Sequence, residues 1–290
     1  MNRLRHSTCL IALMLCVLGA PSAWAGAWTV PRTRMYVEYF TRYFGAKKEF
    51  DASGRSRRKP KTAAFSDIRH EVKLEYGLTD SINLLASAPY QSSHYRDDNT
   101  DLLTTGVGDI FLRTKFRVLQ DPVVSSVQFS WKIPGAYDRR ESPALGDGQF
   151  DFESRLLVSR SFLYAPYQVS TETRYAGVAF VNAEAGFTAR YGDPANEFPI
   201  YLEAGVTPVP RFMVVGTVES ALSVGRTHEQ IEHFAKWGVR GIWNAWGNGF
   251  DSIFRSGHPT VNLELGYNDV FAGRNTSDAF EVFGKVGVSF

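Results

Sequence analysis

Phe65-Ser66-Asp67-Ile68-Arg69-His70-Glu71-Val72-Lys73-Leu74-Glu75-Tyr76 is the stretch that decides the fold. Ile68, His70, Val72, Leu74 and Tyr76 share one parity. Asp67, Arg69, Glu71, Lys73 and Glu75 share the other. Successive side chains of a strand point to opposite faces, so this is a strand between an apolar and an aqueous environment. A strand of a soluble sandwich alternates too, so the weight lies in recurrence. Residues 109–119 set Ile110, Leu112, Phe116 and Val118 against Asp109, Arg113, Lys115 and Arg117. Residues 123–133 set Val127, Phe129, Trp131 and Ile133 against Ser126, Gln128, Ser130 and Lys132. Residues 150–159 set Phe150, Phe152, Leu156 and Val158 against Asp151, Glu153 and Arg155.

Around these strands the connections differ in kind. Gly77-Leu78-Thr79-Asp80 and Gln120-Asp121-Pro122 are tight turns, whereas 45–64, 91–107 and 134–149 are long and polar. Short turns on one side and long loops on the other mark outer-membrane barrels, with turns periplasmic and loops extracellular. The pattern predicts strands at 35–44, 65–76, 81–90, 108–119, 123–133, 149–161, 178–190, 198–207, 211–224, 233–244, 260–268 and 278–290. An even count of twelve places both termini on the periplasmic side. A weak alternating run at 167–175 and a Gly- and aromatic-rich stretch at 245–259 leave ten and fourteen as alternatives. Tyr36, Phe44, Tyr90, Trp131, Trp243 and Tyr267 fall near strand ends, as interfacial girdles do. The expected fold is therefore all-β: one transmembrane, antiparallel, up-and-down β-barrel. Lipid satisfies no backbone N–H or C=O, so such a sheet must close on itself. Twelve strands at ordinary spacing and tilt give a backbone diameter of about 24 Å.

The ends agree. Arg3, Arg5 and His6 precede an apolar run from Cys9 to Leu18 and then Ala23-Trp24-Ala25, the three parts of a secretory signal peptide cleaved after Ala25. Residues 26–290 then form the barrel. Cys16 follows Leu15, where a lipoprotein signal carries a small residue, so no lipid anchor is read. Both cysteines, Cys9 and Cys16, leave with the signal, which excludes disulfides and thiolate chemistry in the remainder. Losing Arg3 and Arg5 from 32 basic residues leaves 30 against 30 acidic, a net charge near zero with no nucleic-acid footprint. Mean hydropathy is −0.20, as expected where lipid-facing and lumen-facing residues average out. At the far end Phe280, Val282, Val286, Val288 and Phe290 share one face. A terminal aromatic on an amphipathic strand resembles the signal read by the barrel assembly machinery, the expected partner beside outer-membrane lipid and lipopolysaccharide.

The expected inner face carries nearly balanced charge. Its lumen-lining candidates are Arg69, Glu71, Lys73, Glu75, Arg113, Lys115, Arg117, Asp151, Glu153 and Arg155. Cross-strand pairing is their first expected role, and a polar path for small solutes the second. Arg113, Lys115 and Arg117 are the least balanced group and would favour anionic solutes. Parity turns His70 towards lipid. A barrel hydrolase would need a Ser–His pair. Ser92-Ser93-His94 is the nearest sequence signal, and no G-x-S-x-G, H-E-x-x-H or P-loop pattern occurs. Asp97-Asp98-Asn99-Thr100-Asp101 opens like a calcium loop, but Leu102 and Gly108 stand where Gly and Glu belong. No catalytic, cofactor or metal site is expected, and the chain reads as a non-enzyme.

Five segments carry a resemblance: Gly26-Ala27-Trp28-Thr29, Glu75-Tyr76-Gly77-Leu78-Thr79-Asp80, Gly106-Val107-Gly108-Asp109-Ile110, Lys132-Ile133-Pro134-Gly135-Ala136-Tyr137-Asp138, and Leu145-Gly146-Asp147-Gly148-Gln149. Their order and spacing resemble the outer-membrane transporter family of the meta-cleavage pathway of phenol degradation. Related barrels accompany exopolysaccharide gene clusters. The family pattern has Pro-Thr-Gly where this chain has Pro134-Gly135, which changes loop shape. The resemblance implies a passive channel for small molecules, including hydrophobic or aromatic ones. The alternative is a non-conducting envelope barrel with a structural, adhesion or exopolysaccharide-associated role.

Overall fold

The computed structural model describes residues 26–59, 62–138, 140–168, 174–191, 195–224, 232–247 and 259–290. The expected signal peptide, His228, His258 and most of 245–259 lie outside the described residues. Fourteen strands are described: β1 (Met35–Phe50), β2 (Ser56–Arg58), β3 (Ala64–Gly77), β4 (Ile82–Arg96), β5 (Asp101–Val107), β6 (Ile110–Leu119), β7 (Val124–Ile133), β8 (Asp151–Gln168), β9 (Arg174–Arg190), β10 (Asn196–Val209), β11 (Phe212–Val224), β12 (His233–Trp246), β13 (Thr260–Arg274) and β14 (Thr276–Ser289).

Twelve of them, all but β2 and β5, form one antiparallel ring. It closes between β1 and β14, with Tyr36 opposite Ser289 and Phe44 opposite Glu281. β2 extends the sheet beside the far end of β1, and β5 does so beside β4. Every expected strand is present, and 35–44 and 278–290 are antiparallel neighbours as closure requires. The weak run within 163–177 lengthens β8 and β9 and adds no strand. The ring has a terminal end, where Met35 and Phe290 meet, and a loop end opposite.

Three expectations need correction. Parts of 45–64 and 91–107, expected as loops, are strand: β1 reaches Phe50 and β4 reaches Arg96. Excursions beyond the ring still have backbone groups to satisfy, and hairpins that prolong the sheet do so. The strict alternation of short and long connections also fails. Asn275 alone joins β13 to β14 at the loop end, with φ 50°. Finally, Tyr36 and Phe44 are not girdle residues. The Tyr36 phenol donates to Glu38 Oε2, and the Arg42 guanidinium lies over the Phe44 ring. The parity that turns Glu38 and Arg42 inward carries both aromatics with it.

Burial is inverted relative to a water-soluble protein. Asn83, Ser126, Asn244 and Glu203 are buried, while Val72, Leu156, Leu202, Val218, Leu265 and Val282 are exposed on the outer face. That inversion is stable only where the outer surroundings are apolar. On the outer face near the loop end, Tyr43 contacts Phe280, Phe280 stacks on Tyr267, and Tyr267 meets Trp237. Trp243 and Trp246 stand exposed towards the terminal end. From Trp237 to Trp246 a tilted strand rises about 23 Å, matching the apolar band of ~25 Å in such barrels.

Candidate functional site

The charges of the inner face are organised into a ladder around the ring. Lys236 reaches Glu219 and Glu281, and Arg42 joins Glu281 (2.9 Å) to Asp67 (3.3 Å). One level nearer the terminal end, Lys73 pairs with Glu38 (3.1 Å), Lys285 with Glu264 (2.9 Å), and Arg240 with Glu264 (3.1 Å) and Glu203 (2.8 Å). Neighbouring strands place opposite charges at facing inward positions, which offsets the cost of removing each from bulk water.

Two non-strand segments fold into this interior. At the terminal end, residues 26–34 cross the lumen. Ala27 N–H donates to Ser159 Oγ (2.8 Å), Ser126 Oγ donates to the Ala27 carbonyl (2.5 Å), and Lys115 Nζ approaches the Gly26 carbonyl (3.4 Å). Trp28 is buried edge-on to Phe180 within a small apolar cluster with Met213 and Val215. The β3–β4 turn anchors the segment: Thr29 Oγ1 donates to the Asp80 carbonyl (2.7 Å), and Arg32 N–H to Asp80 Oδ1 (3.0 Å). A Cβ on Gly77 would stand 2.0 Å from the Pro31 carbonyl oxygen, so this approach requires glycine.

At the loop end, residues 134–149 turn inward. Gln91 Nε2 donates to the Leu145 carbonyl, and Tyr137 donates to Asp109 Oδ1 (2.6 Å) while accepting from Gly148 N–H (2.7 Å). Lys132 bonds Asp147 of the loop and Asp151 of β8 (2.6 Å). Burial, and then the bond to Asp109, push the Tyr137 phenol well above its ordinary pKa. A Cβ on Gly135 would stand 2.2 Å from the Gly108 carbonyl oxygen. All five family-like segments thus meet at these two inward folds. Their short polar and glycine motifs serve close backbone approach.

Between the levels of Lys132 and Gln128 lies a cavity of about 450 Å³. Of the ten sequence-expected lining residues, it brings together Lys73, Arg113, Asp151, Glu153 and Arg155. Lys115 and Glu75 pair with each other (2.9 Å) one level nearer the terminal end. Arg69 and Glu71 sit on β3 on the parity of Lys73, and Arg117 near the terminal end of β6; none of the three lines the cavity. Lys132 and Glu197 were missing from the candidates and do line it. Lys132 stands on the polar parity of its segment, which was a usable signal. Glu197 precedes the expected strand by one residue and gave none.

The histidines are placed elsewhere. His70 faces outward, its Nδ1 2.8 Å from the Tyr39 hydroxyl. His94 Nε2 lies 2.6 Å from Asp101 on the β4–β5 hairpin, while the Ser92 hydroxyl accepts from Thr105. Among the described residues no serine hydroxyl bonds a histidine ring nitrogen, as the hydrolase reading would require.

Neither a protein-family model nor a curated protein sequence matches the chain. Solved structures do match. An outer membrane channel from Pseudomonas putida F1 aligns with TM-score 0.65 at 11% identity, over 93% of this chain and 100% of the other. The transport unit of the autotransporter AIDA-I from Escherichia coli aligns with TM-score 0.52 at 8% identity, over 99% and 97%. At these identities the likeness is one of fold. The chain has the closed β-barrel architecture of outer-membrane proteins.

Proposed function

We propose that the chain is a passive outer-membrane channel for small molecules, related to the transporter family of the phenol meta-cleavage pathway. The observation carrying this reading is the charged cavity inside a closed ring, held between two inward folds. Hydrophobic or aromatic solutes are the substrates the family resemblance implies. The ionised lining favours those that also bear a polar head. In this reading residues 1–25 are a signal peptide, the terminal end faces the periplasm and the loop end the cell exterior. Lipid and lipopolysaccharide surround the ring, and the assembly machinery recognises the strand ending at Phe290. The inward loop and residues 26–34 constrict the path from its two ends.

Planar-bilayer conductance tests the channel. The barrel beginning at Gly26 should conduct weakly or intermittently, and one beginning at Met35 should conduct steadily. If neither conducts, the channel reading is lost.

A second reading, a non-conducting envelope barrel, is favoured by the apolar packing of Trp28 against Phe180, Met213 and Val215 across the terminal end. Function would then sit in the exposed hairpin formed by the far end of β1 and by β2. Deleting residues 47–61 would abolish surface adhesion or polysaccharide phenotypes without loss of the folded barrel.

A further inference from the structure

We propose that Arg113 is the anchor of a binding site for the carboxylate of a small organic acid, within the lumen cavity. The inference deepens the channel reading, on which it rests for how the solute arrives.

The argument starts from which cavity charges are already satisfied. Glu153 is held by Arg155 through two bonds of 3.0 Å and by Thr188 Oγ1 at 3.1 Å. Asp151 is held by Lys132 at 2.6 Å, and Glu197 by Arg190 at 2.9 Å. Each carboxylate lining the cavity therefore has its cation. Arg155 is also filled, since its remaining nitrogen bonds Glu184 at 2.9 Å.

Arg113 differs. Among the described residues no carboxylate comes within ion-pair distance of it. Its one hydrogen bond is long, 3.4 Å from Nη1 to Ser87 Oγ. Its guanidinium carbon lies 4.9 Å from the centre of the Phe111 ring, which fixes the plane of the group without occupying its donors. A guanidinium presents five N–H donors in a fork that matches a carboxylate in bidentate fashion. In this half-buried cavity the other lining cations, Lys73, Lys132, Arg155 and Arg190, each hold a carboxylate, so the Arg113 fork is the unfilled valence of its wall, and it is positive. Beside it Leu85 and Phe111 are the apolar side chains of the same wall. A cation next to an apolar patch selects a solute with an anionic head and an apolar body. The cavity volume of about 450 Å³ limits that body to a small molecule.

Calorimetric titration of the refolded barrel in detergent with benzoate tests the site, with neutral benzamide and chloride as comparison ligands. Benzoate should bind at least tenfold more tightly than benzamide and should outcompete chloride. Arg113→Gln should weaken benzoate at least tenfold and leave the affinity for benzamide unchanged. Ser87→Glu is a second variant, which fills the guanidinium from within and should abolish benzoate binding by a different route. Equal binding of benzoate and benzamide, or benzoate binding that survives in whichever variant folds, overturns the proposal. So does a site that takes chloride as well as it takes benzoate. Binding in detergent is independent of conduction. A barrel that binds benzoate without conducting sinks the channel and keeps the site, and one that conducts without binding does the reverse.

Discussion

The backbone N–H of Met35 donates to the Phe290 carbonyl at 2.9 Å, and the Phe290 N–H donates to the Met35 carbonyl at 3.0 Å. These reciprocal bonds are the terminal rung of the β1–β14 seam, which then runs to the pairing of Phe50 with Thr276. The seam turns an open sheet into a ring. Without it, the edges of β1 and β14 would face lipid with unpaired backbone groups, each costing several kcal/mol.

The seam is therefore expected to be cooperative. Removing Phe290 alone should leave a barrel that still shows a folded, heat-modifiable band on semi-native gels. Removing residues 276–290 should abolish that band under every refolding condition. A truncated chain that still gave the compact band would show that closure does not depend on β14.

The outer face makes a second expectation. Leu265 lies on β13 between Gly241 of β12 and Gly284 of β14, and is 75% exposed. It stands near mid-height between the Trp237 and Trp246 levels. Leu265→Arg should destabilise the barrel in lipid vesicles by about 2–4 kcal/mol, read from denaturant midpoints. The same change in a lipid-free detergent micelle should cost much less, because the headgroup layer is within reach. An equal cost in both would mean that this face does not contact lipid.

Much of this architecture was legible in the sequence, for a definite reason. Period-two alternation is local, so Asp67–Glu75 parity and the twelve strands could be read without knowing any partner. Parity also set Lys73, Arg113 and Glu153 inside. It was overridden by residue type at Tyr36 and Phe44, where aromatic character suggested a girdle and position dictated the lumen. The two inward folds were not legible. Trp28 against Phe180, or Gln91 to the Leu145 carbonyl, are contacts between segments far apart in the chain, and nothing periodic encodes them. Gly77 and Gly135 stood out as motif residues, but only the Pro31 and Gly108 carbonyls lying over them show why.

The ion ladder should be tested where it is most buried. Glu203 has a side chain only 1% exposed and shares Arg240 with Glu264. Arg240→Met leaves Glu203 without its cation, since Tyr201 supplies only a hydroxyl. The cost should be about 3–5 kcal/mol, as for breaking other buried pairs. Adding Glu203→Gln should restore a large part of it, because Glu264 keeps Lys285. A single variant within about 1 kcal/mol of the parent in urea titration would show that lumen water already screens the pair.

Tyr137 holds the loop-end fold by one hydroxyl that donates to Asp109 and accepts from Gly148 N–H. Its raised pKa keeps the phenol protonated, and so able to donate, through neutral and moderately alkaline pH. Tyr137→Phe removes both bonds and leaves the ring in place. A hydrogen bond to a charged group contributes about 1.5–3 kcal/mol, so the fraction of barrels with the loop swung out should rise roughly ten- to hundredfold. Arg140 is an exposed trypsin site in that loop, and limited proteolysis there should accelerate by the same factor when opening is fast relative to cleavage. The strands themselves should stay protected. Unchanged cleavage at Arg140 in a folded Tyr137→Phe barrel would assign the inward fold to Lys132 and its carboxylates alone. General proteolysis of the strands would instead show that the loop supports the ring and does not merely cap it.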